Sequence, residues 1–424
     1  MSEAPPAKAP EEATAPEQRP SFGSEFVRNL WTANTVTVTF LSLVLATVIG
    51  GVLIIVSSPD ELAKYGYFFS RPGDAIQGSW LKVSEAYANL LKGSIVDPEA
   101  IQGWIQGTNS WEIVFYPIAE TLNYAMPLIF TGLAVALAFR GGLFNIGAQG
   151  QAIMGAILAS LAGFVLHLPI GLHLLVALLG GAIGGLLWGF IPGFLKARTG
   201  AHEVITTIML NYVALLFLFW LILQPGVKNP ARSDAISKDL LSTAKFPRLL
   251  GDNLRVTLGI VLALLAAWAV SWLLNRSTFG FELRAVGSNQ DAARTAGMSV
   301  PRTMVLVMAI GGALAGLGGS SVVLGAQANA LTGTVVGQVG FDGILVALLG
   351  RVKPWGVVLA ALLYGALSAG GNRMQSYSGI SAELVTVLKA LIVLFVATPA
   401  LVKTVFQLRA ARAARLETSM AKGW

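Results

Sequence analysis

LRAVGSNQDAARTAGMSVPR, residues 283–302, is a polar, arginine-bearing stretch set between two long apolar runs, and its surroundings decide the fold. The stretch has the pattern of a short capped helix. Ser288 is placed as N-cap, with Asp291 three residues on in the capping-box position. Asn289, Ala292, Ala293, Arg294 and Ala296 lie in the helical body. Gly297 stands where a left-handed C-terminal cap belongs, and Pro301 stops continuation. A small alanine-rich helix held between membrane spans is shaped to dock into another protein. The chain is therefore expected to transmit conformation and not to perform chemistry itself.

On both sides lie runs long enough to cross about 30 Å of hydrocarbon, which takes about 20 apolar residues. Spans are expected at 35–56, 116–139, 143–166, 170–195, 203–223, 255–274, 303–325, 335–350, 354–372 and 383–405. The fold class is all-α and polytopic, with about ten transmembrane helices, one or two of them broken or re-entrant. The short, glycine-rich run at 335–350 is one candidate for a break. Basic residues in short loops set the orientation. With the N-terminus inside, Arg140, Lys196, Arg276, Arg284, Arg294, Arg302, Arg351 and Lys353 all fall on the inner side. Ten spans with both termini cytoplasmic satisfy that rule, and the inverted arrangement does not.

Composition agrees. Of the 424 residues 54% are hydrophobic and 12% charged, about half the charged share of soluble domains. Cysteine is absent and the three histidines have no metal-binding spacing, so no metal site is expected. The net charge of +7 is spread over short loops without interleaved aromatics, which points to a bilayer and not to nucleic acid. Residues 1–30 read as a disordered cytoplasmic tail, 31–56 as a first span, and 57–112 as an extracytoplasmic insert. Residues 113–405 then form a transmembrane core containing the cytoplasmic loop 276–302, and 406–424 a second cytoplasmic tail. Gly185, Gly189 and Gly193 form a G-x-x-x-G ridge, and Gly312 with Gly316 another; packing within the fold is their expected use.

FRGGLFNIGAQGQAIMGA, residues 139–156, is the second unusual stretch. It is either a broken helix at mid-membrane or a cytoplasmic hairpin. Irregular backbone inside a bilayer is tolerated only where protein buries it or water reaches it. With Asn123 from the preceding run, Phe144, Asn145, Gln149 and Gln151 are candidates to line a substrate path. Amides suit a polar, uncharged solute because each offers donors and acceptor. Asp342 and Lys389 are placed to pair within the membrane. No P-loop, G-x-S-x-G elbow or H-E-x-x-H helix occurs, so no catalytic residue or bound cofactor is expected and any ATP must be hydrolysed by another chain.

LRAVGSNQDAARTAGMSV, GGALAGLGGS and GFDGILVALLGRVKPWGVVLAALLYGAL together resemble the permease subunits of bacterial ABC importers, in the group of the ribose and branched-chain amino acid permeases. FRGGLFNIGAQGQ resembles the signature of the nucleoside, or simple-sugar, permeases within it. The likeness spans residues 116–405. The usual form is G-A-E-G-Q; Gln149 replaces the glutamate, which puts an acidic role there in doubt. The resemblance implies that residues 284–302 are the cytoplasmic coupling helix seated in a cleft of an ATP-binding subunit. It implies a second permease as partner, in a heterodimer, because the long insert is similar to that of the larger of two paired permeases. A solute-binding protein or lipoprotein outside the inner (plasma) membrane would deliver the solute. The expected function is nucleoside import by alternating access. A simple sugar or another small polar metabolite is the alternative within the same machinery. A stand-alone secondary transporter or channel is the different class.

Overall fold

The computed structural model describes residues 35–406, so the expected tail at 1–30 and all but the first residue of the tail at 406–424 lie outside the described residues. Sixteen α-helices follow one another and no strand forms among the described residues. They are α1 (Thr35–Val56), α2 (Pro59–Tyr65), α3 (Pro72–Ser94), α4 (Pro98–Ile105), α5 (Trp111–Arg140) and α6 (Ala148–Val165). Next come α7 (Leu172–Thr199), α8 (Glu203–Leu221), α9 (Leu258–Arg276), α10 (Thr278–Ser288) and α11 (Gln290–Thr295). The last are α12 (Val300–Leu324), α13 (Val339–Leu349), α14 (Pro354–Ser378), α15 (Ala382–Ala397) and α16 (Pro399–Val405).

Seven of these helices are long and apolar enough to cross a membrane, and α1 with α2, bent by 86°, brings an eighth. The expected runs at 335–350 and 383–405 form shorter helices, the 11-residue α13 and the 16-residue α15. Two expectations need correcting. The run 383–405 is not continuous, because Pro399 starts a separate helix after Thr398. Pro301 likewise belongs to the first turn of α12, where its missing N–H costs nothing, and begins that helix instead of merely ending the previous one.

Helix α5 is the axis of the core, its apolar stretch being 83% buried against α12, α13 and α14. Small residues let α7 approach α12 backbone to backbone. A methyl group added at Gly185 would overlap the Gly312 carbonyl, and one at Gly189 the Met308 carbonyl. The two glycine ridges are thus used on each other, inside the fold. The 57–112 insert is helical, and α3 docks on the far end of α14. There Lys82 Nζ donates to Ser378 O at 2.7 Å, Asn89 donates to Ser378 Oγ at 2.9 Å, and Arg373 pairs with Asp97 at 2.7 Å.

The turns that hold Arg140, Arg276, Arg351 and Lys353 gather at one end, the basic end. From the opposite end of α12 the chain returns without helix through residues 325–338, and only then begins α13. Thr131 Oγ1 donates to Val339 O at 3.1 Å, which fixes where α13 starts. Thr131 stands about 13 Å from the basic end of α5 at about 1.5 Å per residue, close to the middle of a bilayer about 30 Å thick. Helix α13 is a half-helix.

Candidate functional site

Two places depart from helix-on-helix packing, one entering from the basic end and one lying toward the opposite end, and their polar groups behave differently. The first is the 141–150 stretch. Gly142, at φ +72°, turns the chain at the basic end against Gly287. Residues 143–147 then run back into the protein without helix, and α6 begins at Ala148. This is a re-entrant stretch, with its turn at the basic end and its helix start inside. Asn145 and Gln151, both fully buried, exchange hydrogen bonds at 2.9 and 3.1 Å, and Asn145 Oδ1 also accepts from Gly147 N at 3.1 Å. Asn211 of α8 donates to Ile146 O at 3.0 Å and accepts from Gly150 N at 2.8 Å. Gln149 joins the two breaks: its Nε2 donates to Gly337 O at 2.7 Å and its Oε1 accepts from Gly340 N at 2.8 Å. A glutamate here would satisfy only the second bond. The carboxamide explains the departure from the usual glutamate on this chain's own geometry. Of the five residues expected to line a path, the three amides Asn145, Gln149 and Gln151 spend their side chains on bonds within the protein, to one another or to backbone. Phe144 is exposed and tilted against Phe139 at 5.0 Å.

The second place is a cavity of ≈ 510 Å³ between the outer half of α5, the end of α12, the 325–338 return and the 224–254 loop. Ligand sites typically span about 300–1,000 Å³. The loop is tied over the return by Ser237 N donating to Leu331 O at 3.0 Å, Leu240 N to Asn329 O at 2.9 Å and Phe246 N to Leu324 O at 2.8 Å. Asn123 lines this cavity and is 3% exposed; neither of its side-chain amide atoms makes a well-formed hydrogen bond within the protein, the Glu120 carboxylate being close enough to interact with it. Its backbone carbonyl accepts from Gln327 Nε2 at 2.7 Å. Beside it Tyr124 is half-buried, its hydroxyl accepting from Asn372 at 2.7 Å. Arg232, Asp239 and Arg255 bring charge to the rim, and Arg255 approaches Glu120 at 3.7 Å. Buried amides without partners are costly, commonly about 1–3 kcal/mol each, so an amide left open on a polar cavity is available to hydrogen-bond whatever enters it. Gln327, Arg232 and Asp239 had no signal in the sequence: each comes from non-helical chain, and only the loop's docking brings them to Asn123.

At the basic end, the segment expected to dock forms as α10 and α11. The N-cap falls one residue later than expected. Ser288 closes α10, and Asn289 Oδ1 accepts from Asp291 N and Ala292 N, both at 3.0 Å. Ser288 and Asn289 are both good caps, and where α10 ends selects between them. Gly297 takes φ +83°, and Met298 N returns to Ala293 O at 3.0 Å, closing the helix as a Schellman turn. Ala293 is buried in this chain's own core. Asn289, Asp291, Ala292, Arg294, Ala296 and Gly297 are exposed, with Arg294 paired to Asp291 at 3.2 Å.

Other charges in the spans are partnered. Glu203, at the start of α8, pairs with Lys196 at 2.9 Å. Asp342 and Lys389 do not pair directly: the Tyr364 hydroxyl donates to Asp342 at 2.7 Å, and Lys389 Nζ sits 5.4 Å from the centre of the Tyr364 ring. The intervening phenol keeps the two charges apart.

Residues 118–397 match the family described as branched-chain amino acid transport system / permease component. The chain is 44% identical to the guanosine ABC transporter permease protein NupP of Bacillus subtilis over 292 residues, 68% of this chain and 84% of that one. It is 38% identical to the nucleoside ABC transporter permease protein NupB of Lactococcus lactis over 289 residues, 66% and 79% of the two chains. It is also 34% identical to the glucose ABC transporter permease protein TsgB13 of Haloferax volcanii over 295 residues, 67% and 76%. No solved structure matches.

Proposed function

Since the chain belongs to the branched-chain amino acid-type permease components of ABC transporters, we propose that it is the membrane subunit of a nucleoside importer and that the cavity at Asn123 receives the solute. The unpaired amide of Asn123 is the observation that carries this reading. It offers a donor and an acceptor side by side, which a nucleobase edge answers, while the Tyr124 ring offers a face for an aromatic base. The names of the guanosine and nucleoside relatives support the same class of solute.

The cavity lies at the end opposite the arginine-rich turns. With basic loops on the cytoplasmic side, it opens outward, where a solute-binding protein or lipoprotein would deliver. Gly337 and Gln338 are exposed although they lie near mid-membrane depth and outside any helix. Such backbone does not face lipid, so it lies against a second permease subunit or the water path between the two. A heterodimer fits, since each permease covers the other's break. An ATP-binding subunit would engage α10 and α11 through the exposed Asn289, Asp291, Arg294 and Ala296. Its ATP-driven closure would tilt α12, whose first turn follows Gly297 directly, and so reshape the cavity at the far end of that helix. In this reading the membrane is the plasma (inner) membrane, with both termini cytoplasmic.

Uptake of labelled guanosine into proteoliposomes holding this chain with its co-encoded permease, ATP-binding and solute-binding subunits tests the reading. Unlabelled nucleosides should compete and glucose should not. Competition by glucose alone would transfer the chain to the sugar class of its Haloferax relative.

A further inference from the structure

At the basic end a separate cavity of ≈ 330 Å³ lies between α5, α9, α10 and the start of α14. Three cations line it, Arg140, Arg284 and Lys353, and none of them has a carboxylate within ion-pair distance among the described residues. Nη1 of Arg284 is fully buried and has no hydrogen-bond partner. Arg140 spends only its Nε, which donates to Val352 O at 3.1 Å. The first turn of α14 contributes Trp355 and Gly356, and it carries no acidic residue and no side-chain cap. Its free amides and positive dipole end therefore add to the three charges. The approach to this turn is strained: Arg351 and Val352 are both left-handed, at φ 53° and 56°, an arrangement rare for a β-branched residue. That turn aims the Val352 carbonyl at Arg140 and sets Lys353 at the helix start.

Two half-buried arginines and an exposed lysine, converging on one cavity without a counterion, favour an anion there. The setting identifies its kind. Along α9 the cavity is continuous, through Ser271 and Asn275, with a second one of ≈ 540 Å³ lined by Trp268, Trp272 and Arg276. Both tryptophans and Trp355 are more than half exposed. Exposed tryptophans beside basic residues at a helix end are what the bilayer interface selects, and basic pockets between spans on the cytoplasmic side bind anionic head groups. We propose that this pair of cavities binds one anionic phospholipid of the inner leaflet. Its phosphate sits among Arg140, Arg284, Lys353 and the first turn of α14, and its acyl chains lie along Trp268 and Trp272. The site touches α10 and α14 together, so a bound lipid ties the segment that leads into α11 to the transmembrane core. It is independent of the solute reading above.

The test uses the purified whole importer, delipidated in mild detergent and titrated with dioleoylphosphatidylglycerol, bound lipid being counted by native mass spectrometry. The Arg284→Gln/Lys353→Gln chain should bind about thirty-fold more weakly, each basic side chain at an anionic surface being worth about fivefold. Dioleoylphosphatidylcholine should not bind at the same concentration. Should the double variant fail to fold, Lys353→Gln alone, at an exposed residue, should show about a fivefold loss. Equal retention by wild type and variant would overturn the proposal, as would equal binding of phosphatidylcholine. Displacement by inorganic phosphate would make it a free-anion site. Binding only after the ATP-binding subunit is stripped away would make it a protein contact. Either result rejects the lipid.

Discussion

The re-entrant stretch and the cavity beside the 325–338 return contain the same kinds of residue and use them in opposite ways. Around residues 141–150 every side-chain amide has a partner: Asn145 with Gln151, Asn211 with the backbone of residues 146 and 150, and Gln149 with residues 337 and 340. Around the 325–338 return, Asn123 makes no well-formed hydrogen bond through its side chain. A buried, satisfied amide is structural glue, and a buried, unsatisfied one on a cavity keeps its hydrogen-bonding capacity for what enters, which is the role proposed for Asn123. Amide content inside a span therefore does not distinguish the two roles. Hydrogen-bond accounting does.

Substitutions can break this contrast. The largest effect is expected at Gly340, where any Cβ would meet the backbone of Ala148 and Gln149. Gly340→Val should cost more than about 3 kcal/mol, because backbone on both sides cannot give way, and little folded complex should survive detergent extraction. Gln149→Leu comes next. It strands a buried N–H at Gly340 and the carbonyl of Gly337, and should lower stability by about 2–4 kcal/mol, read as a fall in thermal midpoint of the purified complex. Gln149→Glu, the residue usual in the resembling family, should cost less, about 1–2 kcal/mol. It keeps the bond from Gly340 N and sets an oxygen against Gly337 O. Asn123→Leu should be the smallest in stability, within about 0.5 kcal/mol or stabilising, because no well-formed protein hydrogen bond is lost. Solute uptake through that chain should nevertheless fall at least about tenfold, since a site built for polar contacts rejects what can no longer make them.

The helical spans were legible because hydropathy and length are local properties, and the short run at 335–350 was legible as a break because it is too short and too rich in glycine to cross. Its first four residues are part of the non-helical return, and only the tie from Thr131 to Val339 reveals that. The bond between Asn145 and Gln151 was not legible: residues six apart share no helical face, and they meet only because the chain turns at Gly147. The cavity was half-legible. Asn123 stood out as an amide in an apolar run, but Arg232, Asp239 and Gln327 reach it through loop contacts nearly a hundred residues apart in sequence, such as Leu240 with Asn329. At the docking segment the pattern located the helix to within one residue, and the tertiary fold decided that Ala293 faces inward.

The account's central claim is that the unpaired amide at Asn123 belongs to the solute, and the direct measurement is guanosine uptake by the reconstituted importer carrying Asn123→Leu, with the thermal midpoint taken on the same preparation. Uptake lost at an unchanged or raised midpoint is the predicted result. Uptake retained, or lost only in step with a falling midpoint, would contradict it and return Asn123 to the same structural role as Gln149.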